Sequence, residues 1–164
     1  MIFGIGIDVL QAQRMKDSYA RFGKHLLDRL LLPREREQFE RTRRPDRFLA
    51  MRFAAKEAIV KAMGTGFAHG VWIRDVGMVQ NEWGKPEVIY SVRGDALRRR
   101  MGIGEGYVTL TDEAGLVVAV AVLMQDARPK RSKSSKRAHP SKRSKTPAKR
   151  PVRAKRATTR RARR

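Results

Sequence analysis

Twenty residues from Arg47 to Gly66, RFLAMRFAAKEAIVKAMGTG, constrain this chain more than any other stretch. Most are strong helix formers, and Gly64 stands where a left-handed C-terminal cap belongs, so the spacing predicts one helix ending at Met63. Apolar side chains fill so much of it that most of its circumference must be buried, yet Arg52, Lys56, Glu57 and Lys61 interrupt them. At about 100° per residue, Glu57 and Lys61 share one edge, while Arg52 and Lys56 lie about 100 to 140° away. One reading is a core helix with two wet margins and an ordinary i, i+4 Glu57–Lys61 pair. The other is that one of those edges faces a site.

Charge divides the chain. It has 164 residues with 38 Lys and Arg against 16 Asp and Glu; 18 of those bases and no acid lie from Arg128 onward. Residues 1–126 suffice for one domain with a real core, whereas residues 127–164 carry almost no large apolar side chain and read as a disordered basic tail. There is no Cys, hence no disulfide framework and no thiolate metal site. No charged-then-apolar leader is seen, and the longest apolar run, Leu116 to Met124, is too short for a bilayer. These features predict a cytoplasmic protein without a membrane span.

The remaining pattern is mixed. Met1 to Val9 reads as a strand in which Phe3, Ile5 and Ile7 point one way, and Gly4 and Gly6 leave the other face bare for a backbone or ligand to approach. Asp8 closes it, either as a turn or cap residue or as a carboxylate projected into a site with Glu57 as its partner. Gln11 to Phe22 has helical spacing, with Arg14, Ser18 and Arg21 in one row. Leu26 to Leu32 is a packed turn or short helix. Pro33 opens a highly charged helix, exposed on most of its surface, through about Arg43. Val71 to Asp75, Val76 to Asn81 and Glu87 to Tyr90 read as extended, with a turn at Gly84-Lys85-Pro86. A helix from Ser91 to Met101 follows, then strands at Tyr107–Asp112 and Leu116–Met124, the last buried on both faces. This is an α+β domain whose antiparallel sheet packs against the long helix.

No nucleophile constellation can be assembled: Cys is absent, His25 and His69 lack partners, and His139 lies in the tail. GTG at 64–66 without a following Lys-Ser/Thr is no phosphate loop. What remains is two carboxylates on different elements, Asp8 and Glu57, with Lys61 one turn from the second. Such a pair suits a hard cation like Mg²⁺ that takes its other ligands from water and substrate phosphates.

Gly4-Ile5-Gly6-Ile7-Asp8 with Arg14, then Phe53-Ala54-Ala55-Lys56-Glu57-Ala58 with Lys61-Ala62-Met63-Gly64-Thr65-Gly66, then Gly84-Lys85-Pro86, resemble the holo-acyl-carrier-protein synthase family of 4′-phosphopantetheinyl transferases over about residues 1–125. The resemblance implies transfer of the 4′-phosphopantetheine arm of coenzyme A to a serine of apo-acyl carrier protein, releasing adenosine 3′,5′-bisphosphate. It implies that Asp8 and Glu57 hold Mg²⁺, that Lys61 stabilises or protonates the leaving phosphate, and that Glu57 is the base for the serine. Arg47, Arg52 and the Gly64-Thr65-Gly66 backbone would receive coenzyme A phosphates. Arg14 and Arg21 would meet the acidic carrier, in a homotrimer with shared sites. Two residues depart from the family: Asp112 stands where a histidine is usual, and Leu32 replaces a capping threonine. The tail is a third departure and supports a rival class, a non-specific nucleic-acid-binding protein; without aromatics to stack on bases it would not read sequence.

Overall fold

The computed structural model describes residues 1–127. The basic tail predicted for residues 127–164 lies, from Arg128 on, outside the described residues. The elements run β1 (Ile2–Gln11), α1 (Ala12–Phe22), α2 (Lys24–Leu30), α3 (Pro33–Phe39), α4 (Pro45–Ala62), β2 (Val76–Gln80), β3 (Pro86–Tyr90), α5 (Val92–Met101), β4 (Ile103–Glu113) and β5 (Leu116–Gln125). The strands form one five-stranded antiparallel sheet in the order β1-β5-β4-β3-β2. The fold is α+β, a sheet packed on a long central helix. No helix among the described residues is long and apolar enough to cross a membrane.

Helix α4 begins with Pro45 at its first turn and Asp46 beside it, both suited to a helix start. It ends where Gly64 takes φ +75°, a conformation glycine adopts without a Cβ penalty. Leu49, Ile59 and Val60 are fully buried, each worth about 1.5–3 kcal/mol. The bare glycine face of β1 is filled by this helix. A Cβ on Gly4 would lie 2.1 Å from the Ala62 carbonyl oxygen, and one on Gly6 would lie 2.1 Å from that of Ala58. Only hydrogen at those positions lets strand and helix touch backbone to backbone.

The opposite face of the sheet is uncovered. Ile5, Ile7 and Val9 are 57%, 56% and 58% exposed. They pair with Val122, Val120 and Val118 on β5, which pair in turn with Tyr107, Thr109 and Thr111 on β4. This is a contiguous, largely apolar row of the kind that marks an interaction surface. Strand β5 is consequently buried under α4 on one face and only half-buried on the other, rather than on both as predicted.

Two further expectations are corrected. Val71–Asp75 is a turn, because the Asp75 carboxylate accepts the Trp72 N–H at 2.7 Å and the Asp75 N–H returns to the Trp72 carbonyl at 2.9 Å. Helix α3 stops at Phe39 and is not exposed throughout: Glu35 is completely buried and its carboxylate accepts the Leu32 N–H at 2.8 Å. That bond supplies the acidic half of a capping box, the half that leucine at position 32 does not remove.

Candidate active site

Helix α4 carries two kinds of charge on different faces. Lys56 is fully buried, 2.8 Å from Glu35 of α3, and donates to the Val76 carbonyl at 2.6 Å. Burial pulls its ammonium below the usual lysine range while Glu35 works the other way. Arg52 is 1% exposed, stacks on Phe48 at 3.9 Å and donates to Gln38 at 2.9 Å; burial lowers its pKa to about 10. These residues are not a wet margin. They tie α4 to α3 and β2, and Arg52, predicted as a phosphate contact, is enclosed in this chain.

The other face opens at β1. Because Gly6 lets the strand settle against Ala58, Lys61 and Ala62, Asp8, two residues on along the same strand face, comes beside the last turn of α4. Lys61 Nζ donates to Asp8 Oδ1 at 2.8 Å across 53 residues of sequence, with side-chain exposures of 47% and 12%. Glu57 lies one turn before Lys61. Burial pushes its carboxyl above the usual carboxylate range, the negative charge of Asp8 adds to that, and Lys61 opposes it. The three predicted residues therefore act on one another electrostatically. A carboxyl whose proton affinity is raised beside a second carboxylate belongs to a donor set that a hard cation relieves. Among the described residues no group of three or more His, Asp or Glu collects, so a cation here would complete its shell with water or phosphate oxygens.

The glycine loop does something else. The N–H groups of Gly64, Thr65 and Gly66 donate to the carbonyls of Lys61, Val60 and Val60 at 3.0, 3.2 and 3.2 Å. They are the cap of α4, already committed, at the helix end whose dipole disfavours an anion. In this chain the three N–H groups serve the helix end.

Arg47 reaches a different opening. Its Nε donates to Asp112 Oδ2 at 2.6 Å and its Nη2 to Oδ1, a two-pronged pair that holds the Asp112 carboxyl below the usual range. Asp112 thus neither joins the Asp8 carboxylate nor stands as a free negative charge. Arg47 lines a cleft of about 550 Å³ with Arg43 and Arg44, two cations the sequence reading passed over although they precede the first-turn proline. Fourteen residues separate Arg47 from Lys61, about 21 Å along the helix axis. In this chain Arg47 is held by Asp112 and Lys61 by Asp8. On α1, Arg14 and Arg21 are seven residues apart on one helix face. Arg14 borders a cleft of about 340 Å³ whose walls include Met15, Leu26 and Phe53, while Arg21 rests on the Phe22 ring at 4.9 Å.

Residues 4–121 match the 4′-phosphopantetheinyl transferase superfamily. A relative from Thiobacillus denitrificans, a holo-[acyl-carrier-protein] synthase, is 41% identical over 127 residues, 77% of this chain and 97% of its own. The fold superposes on the holo-[acyl-carrier-protein] synthase of Neisseria meningitidis with a TM-score of 0.72 at 35% identity, covering 76% of this chain and 100% of that one. It also superposes on the Bacillus anthracis protein solved in complex with CoA (3′,5′-ADP), with a TM-score of 0.62 at 31% identity, covering 76% and 98%.

Proposed function

This chain belongs to the 4′-phosphopantetheinyl transferase superfamily, and from that premise we propose that it moves the phosphopantetheine arm of coenzyme A onto a serine of apo-acyl carrier protein. The observation that supports the reading is the convergence of Asp8, Glu57 and Lys61 at the open end of α4. The serine oxygen attacks the phosphorus that bears the pantetheine arm, and the bond from that phosphorus to the bridging oxygen breaks. Glu57, directly or through water, takes the hydroxyl proton. Lys61 meets the departing adenosine 3′,5′-bisphosphate, whose bridging oxygen keeps the electron pair. Mg²⁺ held by Asp8 and Glu57 would offset the charge of the diphosphate. Positioning and charge neutralisation, not covalent help, are what such a transfer asks of the protein.

Arg47 belongs to the same proposal as a coenzyme A phosphate contact, together with Arg43 and Arg44 of its cleft. About 21 Å separates Arg47 from Lys61 along the helix, and a site shared between neighbouring chains would bring the two onto one coenzyme A molecule. The uncovered Ile5, Ile7 and Val9 face offers the means, and a homotrimer that buries it completes each site. Arg14 and Arg21 dock the acidic carrier. The cytoplasmic placement goes with the same reading.

A mass-shift assay of apo-carrier with coenzyme A and Mg²⁺ tests it: wild type adds the phosphopantetheine mass, and Asp8→Ala and Glu57→Ala do not. Full modification by both variants would overturn the assignment. Non-specific nucleic-acid contact through residues 127–164 is a second reading, favoured by 18 bases without an acid from Arg128 onward. Truncation after Asp126 separates the two. Retained transfer by the core assigns catalysis to residues 1–126; loss of transfer, with nucleic-acid binding kept by the isolated tail, favours the second.

A further inference from the structure

The cleft beside Arg14 does not end at α1. Arg29 and Ile73 line it and also line a second cleft of about 580 Å³, whose other walls include Phe67, Trp72 and Arg74. The two openings share those residues and form one apolar trough edged by arginines. Arg14, Arg29 and Arg74 form no ion pair among the described residues. Asp28, the single acid that lines either cleft, is already held by Lys24 and Arg36. The trough therefore presents uncompensated positive charge around an apolar floor.

Trp72 stands in it 68% exposed but not loose. The Arg93 guanidinium lies 4.5 Å over its ring, and Arg93 is fixed in turn by the buried Asp75 and by the Gly70 carbonyl at 3.0 Å. The Asp75 carboxylate also holds the Trp72 N–H. An exposed indole with backbone and ring both pinned loses little freedom on association, the character of an interface anchor.

We propose that this trough, with Trp72 as its anchor, is part of the docking surface for the acidic carrier protein, continuous with the Arg14 face. The proposal rests on the transferase reading and extends it to α2 and the 67–75 segment. The unpaired arginines call for an acidic partner, and the apolar floor calls for a partner that brings apolar side chains between its acids.

The chain has two tryptophans, so full-length Trp83→Phe makes Trp72 the sole indole emitter. Titration with apo-acyl carrier protein is expected to shift its emission saturably. Trp72→Ala is expected to raise the KM for the carrier about tenfold or more while leaving the KM for coenzyme A within about twofold, with Trp72→Phe retaining most of the affinity. Arg74→Glu should act in the same direction. If Trp72→Ala and Arg74→Glu leave the carrier KM unchanged while Arg14→Glu raises it, the trough is overturned and docking on α1 stands. If no variant, Arg14→Glu included, alters carrier binding and the emission does not move, the docking reading itself falls.

Discussion

Lys56 and Glu57 are neighbours in sequence and opposites in setting. Lys56 sits at zero exposure against Glu35, with carbonyls of the 73–76 segment as further acceptors. Glu57 turns to the half-open edge where Asp8 and Lys61 meet. Both clusters pair a carboxylate with an ammonium at 2.8 Å, yet they are built for different ends. The closed cluster satisfies every donor of its ammonium and holds three elements together. The open one keeps Asp8 near Glu57, whose carboxyl is pushed above its usual range, and leaves room for a charged ligand. Burial, not residue type, separates scaffold from site.

The largest effect expected from this contrast is structural. Lys56→Met strands Glu35 without its counter-ion and should remove about 3–5 kcal/mol of stability, measured by urea unfolding. Pairing it with Glu35→Leu should recover only part of that, since Glu35 also accepts the Leu32 and Met78 N–H groups. Asp8→Ala should do the reverse: turnover falls about 10²- to 10³-fold because charge stabilisation of the reacting diphosphate is lost. Its unfolding free energy should move by no more than about 1 kcal/mol, since the Lys61 partner is half-exposed. A Lys56→Met variant that is stable but inactive would merge the two regions and break the comparison.

Gly6→Ala probes the join between the regions. Its methyl would fall 2.1 Å from the Ala58 carbonyl, which belongs to the helix backbone and cannot swing aside. A loss of about 1–3 kcal/mol is expected, with turnover falling as Asp8 withdraws from Lys61. The smallest effect concerns the pair at the other end of α4. Arg47 holds the folded Asp112 carboxyl below its ordinary 3.8, so the pair stabilises the fold above that value and loses its contribution as pH falls through the folded pKa. Asp112→Asn should therefore cost up to about 1 kcal/mol at neutral pH and nothing once the carboxyl is protonated, seen by thermal melts from pH 7 to 2.

Much of the fold was legible because it is local. Helical spacing, Pro45, Gly64 and Ser91 mark where helices begin and end, and Gly4 and Gly6 announce the backbone contact with α4. Asp8, Glu57 and Lys61 stood out as candidates in the sequence and the family resemblance gave them roles, but the Asp8–Lys61 hydrogen bond was not foreseen. What stayed hidden depends on partners distant in sequence. A lysine on a helix looks the same whether water or Glu35 faces it, so Lys56 and Arg52 read as a wet margin. The Leu32-Pro33-x-Glu35 spacing, which brings a glutamate to the third helical position after a proline, was the available signal that Glu35 turns inward. Val71–Asp75 passed for a strand because its residues suit one, and the Asp75 carboxylate that folds it into a turn acts through backbone hydrogen bonds that no hydrophobic pattern records. The hydrogen bonds that the Gly64 and Gly66 N–H groups return to the helix were likewise not legible in the sequence.

The central claim is that Asp8 and Glu57 jointly hold one divalent ion at the open end of α4. Titration of the full chain with Mn²⁺ in the presence of coenzyme A, followed by the loss of the free-ion paramagnetic signal, tests it directly. One ion per chain is expected for wild type, with binding abolished or weakened at least about tenfold in both Asp8→Asn and Glu57→Gln. Unchanged Mn²⁺ affinity in either variant, with the fold intact, would contradict it.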